Sequence, residues 1–405
     1  MKIVHVHKYF YLRAGAERYM LGLMRLQEEA GHEVFPFSMQ YEKNLKSPWS
    51  SFFVSELKTE SVGKGWGAVQ QMLRAFWSRE AKKKFGDFLD TVKPDIVHIH
   101  NIYTQISPSI LFACKKRGIP VVMTVHDYAL LSANYALWDG QRPMDPNHLS
   151  IFDTARTRSV KNSYLATFVL AVIFELHRRL RWYDRCIDRY LAVSKFVRKS
   201  MIARGYPKEK IETLYNFSDT AFHLPRKKIG KSVVFVGRLE TYKGVATLIE
   251  AMRPFKDVTL NIAGTGVEEK ALRERARGMK HVKFLGFVSG QALEDLVSGA
   301  RMAVIPSIWN EPFGLVAIEA MALGTPAVVS DRGGLPEIVE DGVSGRIFKA
   351  GNVESLRKAI SSILEDEAFA RELGKGAHYR AKELSSQKAH LEKVMKIYRE
   401  VIEKK

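Results

Sequence analysis

What most constrains this chain is a regular alternation of short, β-branched runs with longer helical stretches, in two successive series. In the first, strand-like runs fall at Ile3 to His7, Val34 to Ser38, Asp95 to His100, Pro120 to His126 and Tyr190 to Ser194. In the second they fall at Val233 to Gly237, Val258 to Ala263, Val282 to Gly286, Met302 to Pro306 and Ala327 to Ser330. Strands separated by helix-length segments are the pattern of parallel βαβ units. Between the two series lies a polar, basic stretch from Asp219 to Lys231, where Pro225 and the run Arg226, Lys227 and Lys228 break the periodicity. The expected fold is therefore α/β, with two tandem Rossmann-like, doubly wound domains facing across a cleft. Residues 1–215 are expected to form the N-terminal domain and residues 216–385 the C-terminal one. Residues 386–405 are expected to form a helix that packs back toward the N-terminal domain, because Gln387 to Lys405 is amphipathic. Open sheets of this kind bind ligands outside the carboxyl ends of their strands, so the chemistry is expected in the cleft.

A length of 405 residues suits two domains, each large enough to bury its own core. Only Cys114 and Cys186 are present, too few for a disulfide framework or a thiolate metal site, which fits a reducing cytoplasm. The chain opens directly on a strand-like run, with no secretory pattern ahead of it. The formal net charge of +19 favours an anionic partner. The larger part of that excess lies before residue 216, densest at Lys82 to Lys84, Lys115 to Arg117 and Arg178 to Arg181. Tyr164 to Leu176 is nearly uncharged and is followed at once by His177, Arg178, Arg179 and Arg181. It is shorter than the roughly 20 residues that span a bilayer, so a buried helix is the first expectation. The second lays it in the inner face of an anionic membrane, with its basic tail on headgroups.

The segment richest in chemistry is Asn310-Glu311-Pro312-Phe313-Gly314-Leu315-Val316-Ala317-Ile318-Glu319. Pro312 keeps Glu311 out of a helix interior, and good helix formers follow Gly314, so a helix should open at Gly314 or Leu315. Its free N–H groups and the positive end of its dipole make a phosphate site. Gly314 is expected to let the ligand approach closely. Glu319, a turn further on, can accept hydrogen bonds from sugar hydroxyls.

Two glutamates with seven residues between them resemble the signature of the retaining glycosyltransferases of family four, which share the GT-B fold, and the resemblance covers nearly the whole chain. A second matching piece is Gly237-Arg238-Leu239-Glu240-Thr241-Tyr242-Lys243-Gly244. The resemblance implies that Arg238 and Lys243 grip the donor diphosphate, where two cations neutralise charge that grows on the leaving group. It also implies that Gly264, in Gly264-Thr265-Gly266, lies beside the nucleoside, that Phe287 and Val288 line the base, and that Phe313 belongs to the donor site. Ala14-Gly15-Ala16-Glu17 resembles a Gly-Gly-x-Glu loop of the family with one glycine replaced, and Gly15 is expected to meet the diphosphate from the other side. His126, in His126-Asp127-Tyr128, resembles a histidine that touches the donor sugar. The sequence holds no Asp-x-Asp pair, the arrangement that suggests a carboxylate-bound divalent ion, so neither a metal nor a cofactor is expected. His5 with His7, and His98 with His100, have a spacing a metal could use, but both pairs lie in core strands and read as structural.

The expected reaction is metal-independent, retaining transfer of a hexose from a UDP- or GDP-sugar to a glycan or lipid-linked acceptor, serving cell-envelope or exopolysaccharide synthesis. Glu319 would hold the ribose, Glu311 the sugar hydroxyls, and Gly314 and Leu315 would offer N–H groups. A phosphorylase or nucleotide-sugar epimerase on the same fold is the nearest alternative. A nucleic-acid-binding protein is motivated only by charge and lacks a recognition motif. A dehydrogenase would need a dinucleotide fingerprint whose last glycine is Glu269 here.

Overall fold

The computed structural model describes residues 1–57, 66–224 and 230–405, so the boundary residues Pro225 and Arg226 to Lys228 lie outside the described ones. The chain divides into two compact units. The first comprises Met1–Asp139, Met144–Tyr215 and Gln387–Lys405; the second comprises Gly140–Pro143 and Asn216–Ser386. Each is built on a six-stranded sheet whose paired strands all run parallel. Among the described residues no helix is long and apolar enough to cross a membrane.

In the first unit the strands are β1 (Lys2–Val6), β2 (Glu33–Phe37), β3 (Ile96–Ile99), β4 (Val121–Val125), β5 (Arg189–Ala192) and β6 (Ile211–Thr213). They lie in the order β2-β1-β3-β4-β5-β6. The helices are α1 (Gly15–Glu29), α2 (Trp66–Phe76), α3 (Arg79–Val92), α4 (Ser109–Lys116), α5 (Ile151–Arg156), α6 (Tyr164–Arg179) and α7 (Lys195–Ala203). Serines open four of them: Ser78, Ser150, Ser163 and Ser194 accept the Ala81, Asp153, Ala166 and Val197 N–H groups and satisfy donors that the first turn leaves unpaired. Strands β1, β3 and β4 are covered on both faces, so their runs read as nearly continuous apolar sequence.

The second unit holds β7 (Val233–Val236), β8 (Leu260–Ala263), β9 (Val282–Gly286), β10 (Met302–Ile305), β11 (Ala327–Ser330) and β12 (Gly345–Phe348), ordered β12-β11-β10-β7-β8-β9. Its helices are α8 (Val245–Met252), α9 (Glu269–Arg275), α10 (Gly290–Ser298), α11 (Leu315–Ala322), α12 (Leu335–Ile338), α13 (Val353–Leu364) and α14 (Glu367–Ser385). Val233, Phe235, Leu248, Leu260, Val304 and Ile360 belong to one buried apolar cluster that joins the sheet to α8 and α13. The final helix, α15 (Gln387–Glu403), belongs to the first unit.

Strands β6 and β12 escape the sequence reading. Both are edge strands of three or four residues, with Glu212 and Arg346 inside them, and an edge needs only one paired neighbour to form. The expectation of a buried helix over Tyr164 to Leu176 is also corrected. Only Thr167, Ala171, Ile173 and His177 of α6 are buried, whereas Leu165 is 70% exposed and Tyr164, Leu176 and Leu180 are exposed beside it.

Candidate active site

In the second unit the strand sequence leaves β7 in opposite directions. Strands β8 and β9 extend to one side of β7, and β10, β11 and β12 to the other. The crevice at the carboxyl ends of β7 and β10 is therefore the topological switch point, where open α/β sheets bind ligands. The loop after β7 carries Gly237, Arg238 and Lys243, and the loop after β10 carries Glu311, Phe313 and Gly314.

Two of these residues meet across the switch point. Lys243 Nζ donates to Glu311 Oε1 at 2.6 Å, and Ser307 Oγ donates to the same oxygen at 2.7 Å. Glu311 is 7% exposed. Burial pushes its carboxyl pKa up, but the Lys243 charge, the Lys243 hydrogen bond and the Ser307 hydroxyl outweigh this and hold it below the ordinary glutamate value. Lys243 Nζ also stands 5.2 Å from the centroid of the Trp309 ring, so its cation has an aromatic face as well as a carboxylate. Arg238 differs: its side chain is largely exposed and its Nη2 donates to the Tyr242 hydroxyl at 3.0 Å.

Helix α11 begins where the proline and glycine place it, with Gly314 as its N-cap at φ 112°. The structure gives this glycine a packing reason of its own. A Cβ there would lie 2.6 Å from Leu335 Cδ2 and 3.3 Å from Ile338 Cδ1, so both the backbone angle and the packing of α12 favour glycine. Phe313 is buried, Leu315 is half-buried, and Glu319 is half-buried one turn along α11. Gly264 serves close packing: its added Cβ would fall 1.8 Å from the Gly237 carbonyl oxygen, so the loops after β7 and β8 lie in direct contact. At the end of β9, Phe287 is 79% exposed and Val288 half-buried, leaving an aromatic face open to solvent.

In the first unit the switch point lies between β1 and β3. Gly15 does not sit in the loop; it is the first residue of α1, with Ala14 as N-cap. Glu17 takes the Ala14 N–H at 3.1 Å, so this acid closes the helix start and fixes the chain on either side of Gly15. His126 follows β4, with Nε2 3.0 Å from His100 Nδ1, and burial lowers its pKa to about 3, so it is neutral at physiological pH. The other strand histidines are neutral for the same reason. All six ring nitrogens of His5, His98 and His100 are engaged with Gln27, Tyr398, Thr124, His126 or one another, so a metal held by these three would have to displace every one of those bonds.

The sequence reading passed over Ser307, Lys8 and Gly333. Lys8 follows His7 at the carboxyl end of β1, and Asp127 follows His126 at the end of β4. Burial dominates both, lowering the Lys8 pKa and raising that of Asp127, while each is the other's main opposing charge. Lys8 satisfies the rule that singled out His126, a polar residue just beyond a central strand. Gly333, at φ 62°, has no such signal: its added Cβ would lie 2.2 Å from the Glu311 carbonyl oxygen, and the neighbouring Gly334 N–H donates to that oxygen at 2.7 Å.

Two parallel α/β units in tandem, one of them with a charged pair at its switch point, have the architecture of the GT-B fold. HepE of Anabaena, crystallised with UDP and glucose, matches the fold with a TM-score of 0.68 at 18% identity, over 98% of this chain and 99% of that one. The family model for glycosyl transferases group 1 matches residues 216–380, and that for glycosyltransferase family 4 matches residues 13–222. An uncharacterized glycosyltransferase of Methanocaldococcus jannaschii is 30% identical over 317 residues, 73% of this chain and 72% of the relative. The phosphatidyl-myo-inositol mannosyltransferase of Mycobacterium leprae is 35% identical over 199 residues, 46% of this chain and 52% of the relative. The chain belongs to the group 1, family 4 glycosyltransferases.

Proposed function

We propose that this glycosyltransferase moves a hexose from a nucleoside diphosphate sugar to a glycan or lipid-linked acceptor, with retention of anomeric configuration and without a metal. The observation that carries the reading is the Lys243–Glu311 pair at the switch point, next to the N-terminus of α11. The carboxylate holds the ammonium in one place, and Arg238, on the same loop as Lys243, supplies a second and more exposed cation. Together with the first N–H groups of α11, at Gly314 and Leu315, they would receive the diphosphate and stabilise the charge that grows as the bond from the sugar to phosphate breaks. Lys243 and Ser307 both bind Oε1 of Glu311 and Trp309 also hydrogen-bonds this carboxylate, which would accept from the donor sugar's hydroxyls. Glu319 would accept from the ribose. Phe287 gives a base a ring to stack on, with Val288 beside it and the loop of Gly237 and Gly264 below. HepE was crystallised with UDP, which makes a uridine donor the first to try and a guanosine donor the second.

Retention is assigned to front-side displacement. The bond from the anomeric carbon to the phosphate oxygen breaks and its electron pair leaves with the diphosphate. The acceptor oxygen bonds to the same face, and its proton passes to the departing phosphate. His126, with Gly15 at the start of α1, would position the donor. An α-linked donor is expected to give an α-linked product, read from the anomeric proton coupling by NMR; a β-linked product rules this step out.

An envelope or exopolysaccharide role at the cytoplasmic membrane face is supported by the first unit. Phe152 on α5, Leu165 and Leu176 on α6, and Leu180 just after it are exposed, and a cavity of about 330 Å³ at the end of α6 is lined by Arg178, Arg179, Arg181 and Arg204. Glu175 pairs with Arg178, Arg179 and Arg204, and Asp184 with Arg181, so two carboxylates face four guanidiniums and the site keeps an excess of positive charge. Vesicles rich in anionic phospholipid are expected to carry the protein in flotation, less so at high salt. Vesicles of neutral lipid are expected to leave it behind, as are all vesicles for a Phe152→Glu, Leu165→Glu variant. Equal flotation on neutral lipid would remove the electrostatic part of this reading.

A further inference from the structure

His126 ends a hydrogen-bonded chain that runs through the first unit, and every link of that chain has a direction. It begins at the main-chain carbonyl of Tyr215, which can only accept. His390 Nδ1 lies 3.0 Å from that oxygen and so carries its proton there, which leaves Nε2 as the acceptor of a neutral imidazole. The Tyr19 hydroxyl, 2.9 Å from His390 Nε2, must therefore donate, and its oxygen accepts from the Thr124 hydroxyl. With its proton committed, Thr124 Oγ1 accepts from His98 Nε2 at 2.7 Å. His98 Nδ1 is then an acceptor and takes the Tyr398 hydroxyl proton at 2.5 Å.

From Tyr398 the hydrogen bonds continue to the site. The Tyr398 oxygen accepts from the Gln27 amide nitrogen at 3.4 Å, which turns the amide oxygen of Gln27 toward His5 Nε2 at 2.7 Å. His5 Nε2 therefore bears the proton. His5 Nδ1 accepts from His100 Nε2 at 3.1 Å, and His100 Nδ1 accepts from His126 Nε2 at 3.0 Å. Each imidazole is neutral because burial lowers its pKa: His5 to about 4, His126 and His390 to about 3, and His98 and His100 well below the ordinary value. A neutral imidazole has one donor and one acceptor, so no link can be reversed alone; reversing the whole chain would aim an N–H of His390 away from the Tyr215 oxygen.

We infer that this chain is a tautomer lock, in which Tyr215, His390, Tyr19, Thr124, His98, Tyr398, Gln27, His5 and His100 hold His126 as its Nε2–H form and leave the Nδ1 lone pair for a ligand. The use made of that lone pair rests on the proposed donor role of His126. There Nδ1 accepts a hydrogen bond from a hydroxyl of the bound sugar, whereas the opposite tautomer would present a second donor to a group that is itself donating. Gln27, Tyr398 and His390 are positioning residues, and two of them come from α15, so the C-terminal helix sets the chemistry of an imidazole at the end of β4.

Nitrogen-15 NMR of the full chain labelled at histidine tests the lock without any activity. At neutral pH His126 is expected to give a protonated Nε2 and an unprotonated Nδ1. A protonated Nδ1, or two nitrogens averaged between the forms, overturns the inference. Tyr398→Phe removes the hydroxyl that joins Gln27 to His98 and frees the amide to turn, so the two His126 nitrogens are expected to average. A Tyr398→Phe protein that keeps a single Nε2–H form shows that the direction is not transmitted, and a loss of thermal stability alone does not rescue it. Tyr19→Phe cuts the same chain nearer its start and replaces Tyr398→Phe if that variant does not fold. Addition of UDP-glucose and of GDP-mannose to the wild type separates the two claims: a shift of Nδ1 supports the donor role, and no shift with either overturns that role while the lock stands.

Discussion

Lys243→Ala is expected to cut kcat/KM by roughly a hundredfold to a thousandfold, the loss that follows removal of one preorganised donor at a developing negative charge. The same variant is expected to be less stable by about 3 to 5 kcal/mol, because it leaves the Glu311 carboxylate buried without its cation. The stability effect carries a sign that can be checked against pH. In the wild type the Glu311 pKa lies below its unfolded value, so the pair's contribution is present above that unfolded value and is lost as pH falls through the folded one. Without Lys243, burial is the largest remaining influence and pushes the carboxyl the other way. The variant should then approach the wild type in stability as the pH is lowered. Lys243→Met combined with Glu311→Gln removes both charges and is expected to recover most of the stability and none of the activity. Melting temperature and steady-state kinetics on the two variants and the wild type decide this; recovery of activity in the double variant would show that the pair only holds the fold together.

The second large effect is acid sensitivity of the first unit. His5 and His177 are lowered to about 4, His126 and His390 to about 3, and His7, His98 and His100 well below the ordinary value, in each case chiefly by burial. Because the folded values lie below the unfolded value of about 6.5, the unfolded chain binds more protons than the native one throughout the interval between them. Stability is therefore complete above that unfolded value and falls with pH below it, by about 1.4 kcal/mol per pH unit for each histidine involved. Thermal unfolding followed from pH 7 down to pH 4.5 should give a steep fall in melting temperature, with net proton uptake on unfolding. A flat profile over this range would mean that the histidines are already charged in the native protein.

Both effects depend on pairings that single segments do not display. The loop after β10 was legible because its chemistry is local: Pro312 and Gly314 fix where α11 begins, and Glu311 and Glu319 follow from that start. The alternation of strand and helix gave ten of the strands for the same reason, while β6, three residues with Glu212 at its centre, and β12, which opens on Gly345 and Arg346, lack the apolar run that shows it. The packing constraint on Gly314 is not legible in the sequence, since Leu335 and Ile338 reach it from the separate helix α12. Lys243 and Glu311 were each identified, but their 2.6 Å contact joins residues 68 apart and exists only because β10 lies beside β7. The histidine pairs on β1 and β3 looked like separate structural features. Parallel register places His5 against His98, and α1 and α15 add Gln27, Tyr19, Tyr398 and His390, so that the pairs become one continuous chain ending at His126.

That the second unit receives a nucleoside diphosphate sugar at its switch point is tested most directly by thermal shift across uridine, guanosine, adenosine and thymidine diphosphates and their sugars, with EDTA present and Lys243→Met measured beside the wild type. A ligand that binds only the native state raises its midpoint. One base is expected to stabilise the wild type well above the others without metal, and to lose most of that effect in Lys243→Met. No stabilisation by any of them, or equal stabilisation of both proteins, would contradict the account.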